Sequence, residues 1–329
     1  MNCRVCLKEI SKEGKYKSYH DKCFRHVFGT IRIDPKLPFT RGEFKTDRAR
    51  RNNKSFSISG VQPKLLISIQ DDSLEVTEIG GTHILKVSPE EYPMASENEH
   101  LSMEIFRLIG LDTADCGLME LQDNELAYVA KRFDREGDHK IHQEDMMQAM
   151  GIAVEGNSKY DSKSYEDVAN FLYAQTKSLA VVGEFFKRVV LNFLIANDDF
   201  HLKNISIRPD EIQSGGPCLT PVYDSLNTEV YDHYEQVTHE LAMDLVNTET
   251  GTTEHHDTYG YHTILCFNEF AKRIQLNQKY VERFYESYEK YFERIIELVG
   301  SSYLSDEFKG KYKASLIERR EKFFKPLGK

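Results

Sequence analysis

The chain has 329 residues, of which 40% are hydrophobic and 29% charged, enough apolar content to bury one large core or two packed lobes. With 43 basic against 53 acidic residues, the formal net charge is -10 and the pI near 5.7. That balance excludes sequence-independent binding of a nucleic-acid backbone by the chain as a whole, which needs a basic surface. No run approaches the roughly 18 apolar residues of a membrane span. Three of the 6 cysteines, Cys116, Cys218 and Cys266, stand alone, so a reducing cytoplasm without a disulfide framework is expected.

In chain order, residues 1–30 read as a small segment of their own, holding Cys3-x-x-Cys6 and His20-x-x-Cys23. Two tight knuckles with this donor set are how tetrahedral zinc sites are often built. The alternative is a reduced cysteine cluster that packs as small hydrophobes. Lys45 to Lys54, with Arg48, Arg50 and Arg51, reads as a solvated basic loop that could touch phosphate or an acidic partner.

Leu65, Leu66, Ile67 and Ile69 follow Pro63; Leu74, Val76 and Ile79 come after a turn at Asp71-Asp72-Ser73; and Ile84-Leu85-Lys86-Val87 comes after Gly80-Gly81. These runs predict a small antiparallel sheet. Ser96 with Glu99 three positions later predicts a capping-box helix start, with Leu101, Ile105, Leu108 and Ile109 as its apolar face and a stop at Gly110. Leu126 to Phe133 reads as another strand.

Beyond about Asp134 the period is helical. Phe186, Val189, Val190, Phe193 and Leu194 share one face of Val182 to Ala196, and Phe284, Tyr288, Tyr291, Ile295 and Leu298 share one face of a helix stopping at Gly300. Both stripes read as core. The expected architecture is therefore α+β and two-lobed. A β-rich N-lobe spans residues 31–134 and an all-helical C-lobe residues 135–329, joined near Phe133-Asp134 around a ligand-binding cleft.

The chemistry concentrates in Ala196-Asn197-Asp198-Asp199-Phe200-His201-Leu202-Lys203-Asn204. Asp199 and Asn204 have the D-x-x-x-x-N spacing of a protein-kinase catalytic loop, in which the Asp orients and deprotonates a hydroxyl and the Asn holds Mg²⁺. Lys203 could reach the transferring phosphoryl group, and Asp224 in Pro221-Val222-Tyr223-Asp224 supplies a second oxygen donor for Mg²⁺. The spacing alone also fits a solvated turn; order along the chain adds weight. A small-residue loop, Ser57-Ile58-Ser59-Gly60, precedes the sheet. Lys86 lies in an apolar strand where its ammonium is costly without a partner, and Glu99 or Glu97 on the next helix could pair with it. The alternative for Lys86 is an edge-strand lysine facing water.

Ser57-Ile58-Ser59-Gly60-Val61-Gln62-Pro63-Lys64 resembles the S-I-x-G-x-Q-x-K signature of HipA-type kinases. Arg132-Phe133-Asp134-Arg135 resembles their R-F-D-R hinge, and Gln143-Glu144-Asp145 their Q-E-D segment. With Asn197 to Asn204 and Tyr223-Asp224, the match covers roughly residues 55 to 300, and the short N-terminus is similar to the HipT type.

The resemblance implies a protein-kinase-like fold and a toxin serine/threonine kinase that uses ATP and Mg²⁺. It implies nucleotide contacts from Ser57, Ile58, Ser59, Gly60, Lys86, Glu99, Arg132, Phe133, Gln143 and His201, with Asn204 and Asp224 on the metal and autophosphorylation at Ser57 and Ser59. It also implies an aminoacyl-tRNA synthetase as target, a HipB-like DNA-binding antitoxin and a HipS-like small protein as partners. Two other readings share these motifs: a binding module in an antitoxin complex, and a small-molecule phosphotransferase.

Overall fold

The computed structural model describes residues 1–12, 14–44, 64–70, 72–136, 139–209, 216–231 and 240–328. Ser57, Ile58, Ser59, Gly60, the basic stretch and the remainder of the S-I-x-G-x-Q motif before Lys64 lie outside the described residues. The chain divides into two compact units: Met1–Ile105 with Thr113–Lys140 and Glu297–Lys309, and Phe106–Asp112 with Ile141–Ile296 and Gly310–Lys329. The joint read at Phe133-Asp134 falls inside the first unit.

The first unit is built on a 5-stranded antiparallel sheet in the order β2-β1-β3-β5-β4. Its strands are β1 (Lys64–Gln70), β2 (Ser73–Thr77), β3 (His83–Val87), β4 (Cys116–Glu120) and β5 (Leu126–Lys131), and a separate ribbon pairs β6 (Arg135–Glu136) with β7 (His139–Lys140). Alternation sorts their side chains onto two faces. Leu65, Leu85 and Val129 are register partners on one face, and Lys64, Lys86 and Tyr128 on the other.

The apolar face shares one core with residues 3–44. Phe24 and Phe28 of α1 (Asp21–Phe28) pack there with Ile67, Leu85 and Val129. The N-terminal segment set apart in the sequence is thus part of this core. Gly117 on β4 permits the close approach: a Cβ there would stand 2.9 Å from Val5 Cγ2 and 3.2 Å from the Arg4 carbonyl oxygen. Burial also neutralises His83, pushed down to about 4, with Nε2 bonded to the Val27 carbonyl at 2.8 Å.

Helix α2 (Ala95–Ile109) begins differently from its sequence pattern. Ser96 is already helical, and its backbone N–H donates to Ser88 Oγ (3.0 Å) while its own hydroxyl donates to the Lys86 carbonyl. The orphan donor of the first turn is satisfied by Ser88, just past β3, instead of by a local capping box.

Among the described residues the second unit is largely helical, with a 3-stranded sheet in which the strand at Ser206–Pro209 lies between those at Glu144–Asp145 and Pro217–Leu219. Its elements include β8 (Glu144–Asp145), α3 (Met146–Ala149), α4 (Ser158–Asp161), α5 (Tyr165–Thr176), α6 (Leu179–Leu194), β9 (Ser206–Pro209) and β10 (Pro217–Leu219). Further on come α7 (Glu254–Tyr259), α8 (Ile264–Arg273), α9 (Gln278–Ser301) and α10 (Asp306–Phe324), the end of α9 and the start of α10 being assigned to the first unit. The expected α6 stripe is buried, with Phe186 and Phe193 packing on Phe270 and Phe267 of α8 at ring separations of 5.8 and 5.2 Å. Helix α9 runs through Gly300 and ends at Ser301. Among the described residues no helix is long and apolar enough to cross a membrane.

Candidate active site

In the first unit, the second face of the sheet carries a buried ion pair. Lys86 Nζ donates to Glu99 Oε1 at 2.7 Å, the two side chains being 8% and 1% exposed, and the ammonium stands 5.5 Å from the Tyr128 ring centroid. Strand β3 and helix α2 therefore present one positioned cation. Glu97, the other candidate partner, is also buried, with Oε2 lacking a hydrogen bond among the described residues. Burial, reinforced by the charge of Glu125, raises Glu97 to about 7.

After β5, the Arg132 fork is spent on Asp134 through bonds of 2.8 and 2.6 Å. Burial alone would raise Asp134, but the bonds and charge of Arg132, joined by Arg135, hold it below the usual carboxylate range. The Arg132 N–H is committed as well, to the Thr82 carbonyl at 2.9 Å, and Phe133 is half-buried.

In the second unit, α6 ends in a Schellman arrangement. Asn197 N–H donates to the Asn192 carbonyl and Ala196 N–H to that of Phe193, with Ala196 at φ +57°. Asn197 Nδ2 then donates to Asn192 Oδ1 (2.6 Å), and the Asp199 N–H donates to Asn197 Oδ1 (3.1 Å). Five residues on, Asn204 Nδ2 returns to the Asp199 carbonyl at 2.8 Å. The Asn204 amide nitrogen is thus committed to the loop, and its oxygen is the atom left for a cation.

The Asp199 carboxylate, 41% exposed, accepts a 2.6 Å hydrogen bond from the Tyr160 hydroxyl of α4. His201 Nε2 lies 3.6 Å from Asp199 Oδ1 and 2.9 Å from Lys159 Nζ. Burial, helped by Lys159, outweighs the opposing Asp199 charge and lowers the imidazole. A neutral ring accepting from Lys159 carries its proton on Nδ1, which is buried without a partner among the described residues. Asp198 is lifted to about 6 by burial, with the Asp199 charge adding, against a hydrogen bond from Thr228.

Asp224 is half-buried and left-handed, at φ +56°, a conformation Asp tolerates better than most residues. Its neighbour Tyr223 ties this segment to the loop. The Tyr223 hydroxyl donates to the Lys203 carbonyl (2.8 Å) and accepts from Ser206 Oγ (2.6 Å). Lys203 itself is half-buried on the 3₁₀ turn Leu202–Asn204. Pairing of β8 with β9 sets Glu144 opposite Ile207 and Asp145 opposite Ser206. Asp145 caps α3 in a capping box with Gln148, while Gln143 Oε1 is buried without a partner among the described residues.

Tyr160, Lys159 and Asp198 were not singled out in the sequence. Asp198 had a visible signal, being a second acid beside Asp199, whereas Tyr160 and Lys159 sit on a 4-residue helix with no apolar period. A further convergent group, Glu240, His256 and His262, has donor atoms within 4.8 Å of one another. Its carboxylate is already neutralised by Arg319 at 3.6 Å and Lys322 at 4.0 Å, besides accepting from His262.

A mixed sheet and helical protein with these features belongs to the kinase-like fold class. Solved structures agree. The chain resembles HipA in the toxin–antitoxin complex of Shewanella oneidensis MR-1 HipA, HipB and operator DNA (TM-score 0.66, 21% identity, covering 88% of this chain and 73% of that one). It also resembles the Helicobacter pylori proinflammatory kinase CtkA (TM-score 0.52, 15% identity, covering 82% and 93%).

The HipA-like C-terminal domain model matches residues 56–296, and the chain belongs to this HipA-like family. It is 34% identical over 294 residues to a Haemophilus influenzae protein named "Putative kinase", covering 85% of this chain and 84% of that protein. It is 28% identical over 209 residues to the serine/threonine-protein kinase toxin HipA of Shewanella oneidensis, spanning 57% of this chain and 46% of that toxin.

Proposed function

We propose that this chain is an ATP-dependent serine/threonine protein kinase of the HipT type, acting as the toxin of a toxin–antitoxin system, with Asp199 as its catalytic carboxylate. The observation that carries the reading is the hydrogen bond from Asn204 Nδ2 to the Asp199 carbonyl. It holds a carboxylate and an amide oxygen on one short loop, each with its own task.

An Asn oxygen and the Asp224 carboxylate are the hard oxygen donors that Mg²⁺ takes. When bound, ATP supplies the phosphoryl group and Mg²⁺ neutralises phosphate charge. Tyr160 holds the carboxylate of Asp199, which accepts the proton of the attacking hydroxyl. Lys86, held by Glu99, offers its cation to the nucleotide phosphates, and Lys203 offers a second to the group in transfer. Neutral His201 accepts from Lys159 and packs against the ring of Tyr160, the residue that holds Asp199; Gln143, the Arg132 carbonyl and Phe133 add nucleotide contacts.

The resemblance to HipA-type kinases supports Ser57 and Ser59 as autophosphorylation sites and a serine of an aminoacyl-tRNA synthetase, in the cytoplasm, as the target. The HipA and HipB complex of the structural relative supports a HipB-like antitoxin as partner. A HipS-like small protein is the further partner that the resemblance to HipT-type kinases supports.

Mass spectrometry of the protein and of Asp199→Gln, each incubated with ATP and Mg²⁺, tests the reading. Phosphate on Ser57 or Ser59 only when Asp199 is intact is the expected result. Absence of phosphate from both despite ATP binding would leave a binding module or a small-molecule phosphotransferase.

A further inference from the structure

Cys3, Cys6, His20 and Cys23 are separated by up to 20 positions in the chain, yet one donor atom from each lies within 4.8 Å of all the others. Backbone geometry brings them together. Residues 2–9 fold into a knuckle closed by the Asn2–Glu9 bridge, with Leu7 at φ +58° and its N–H on the Cys3 carbonyl at 2.9 Å. The second pair comes from the start of α1, where His20 is the N-cap and Cys23 lies in the first turn.

His20 is oriented as a ligand. Its Nε2 is 3.2 Å from the Glu9 carbonyl, so Nε2 carries the proton and the lone pair is on Nδ1. That nitrogen stands 3.5 Å from Cys6 Sγ and 3.8 Å from Cys23 Sγ. A tetrahedron with Zn–N of about 2.05 Å and Zn–S of about 2.3 Å has an N···S edge of about 3.6 Å. Both separations match that edge before any ion is placed. Histidine ligands to metals commonly donate their other nitrogen to a carbonyl, as His20 does. Cys3 is fully buried, the other three donors half-buried.

We infer that Cys3, Cys6, His20 and Cys23 bind a structural Zn²⁺ through three sulfurs and one nitrogen. Four protein donors leave no open position, which makes the site structural. The knuckle reaches beyond itself. The Arg4 carbonyl accepts the Leu118 N–H of β4 at 2.8 Å, and the Val5 carbonyl faces His100 Nε2 of α2, also at 2.8 Å. His100 adjoins Glu99, so the ion fixes a loop that braces the helix carrying the Lys86 partner. The importance of that brace for phosphate transfer rests on the kinase reading; the metal site does not.

The test uses the full chain without a histidine tag, purified in the absence of chelators. Elemental analysis should find about one zinc per chain, and zinc-edge X-ray absorption should show three sulfurs at about 2.3 Å and one nitrogen at about 2.0 Å. Cys6→Ser with Cys23→Ser should abolish zinc uptake. Because that variant can fail to fold, hydrogen exchange on the unaltered chain before and after zinc removal gives a second measurement, with faster exchange expected at Leu118 N–H. A chain that holds no zinc as isolated and takes none when zinc is supplied overturns the proposal. So does a first shell without sulfur, or iron in place of zinc. None of these readouts depends on phosphate transfer.

Discussion

Replacing Glu99 by Gln removes the carboxylate 2.7 Å from Lys86 Nζ inside a site where both side chains are almost fully buried. At an effective dielectric of about 20, unit charges at that separation attract by about 6 kcal/mol. Part of this only offsets desolvation, so breaking the pair from either side should cost about 3–5 kcal/mol. Lys86→Met should cost about as much. The double variant Lys86→Met with Glu99→Leu removes both charges and should cost less than either single, giving a coupling of at least about 2 kcal/mol. The chain has 0 tryptophans, so urea unfolding is best followed by far-UV circular dichroism. Single losses below about 1 kcal/mol, or losses that simply add in the double, would refute the buried-pair argument.

Burial lets Glu97 hold its proton up to about pH 7 when folded, well above the ordinary 4.5 of a glutamate in the unfolded chain, so the native state binds protons more tightly and stability falls as pH rises through that window. Glu97→Gln should be neutral near pH 4 and more stable than the parent by up to about 3 kcal/mol at pH 8; thermal unfolding across pH checks it. Gly117→Ala pushes a methyl group into Val5 and the Arg4 carbonyl and should cost about 1–3 kcal/mol, read by chemical denaturation. Tyr160→Phe removes the hydroxyl that donates to Asp199 and should slow autophosphorylation about tenfold, with little change in stability; an unchanged rate removes Tyr160 from the site.

The sheet and the α6 stripe were legible because alternation and helical period register directly which side chains face a core. A lysine in an apolar strand followed by acids on a helix pointed to a pair, although only the folded arrangement separates Glu99 from Glu97. What stayed hidden depended on distant segments meeting. Ser88 satisfying the Ser96 N–H replaces a local cap that the sequence also offered. The N-terminal segment looked separate because nothing local shows Phe24 and Phe28 packing on Val129. Tyr160 and Asp199 are 39 positions apart, and no periodicity links them.

The left-handed residue at the end of α6 is Ala196, where most helices would place a glycine. Its methyl group carries a local strain of about 1–2 kcal/mol, held by the hydrogen bonds that its carbonyl receives from the Thr228 backbone and hydroxyl. This joint acts as a filter on sequence drift. Glycine or asparagine can stand there, while valine, isoleucine or threonine would force the chain out of the turn and swing Asp199 with it. If Asp199 is the catalytic carboxylate proposed above, substitutions at a side chain that touches no substrate should silence the loop as fully as loss of Asp199 itself.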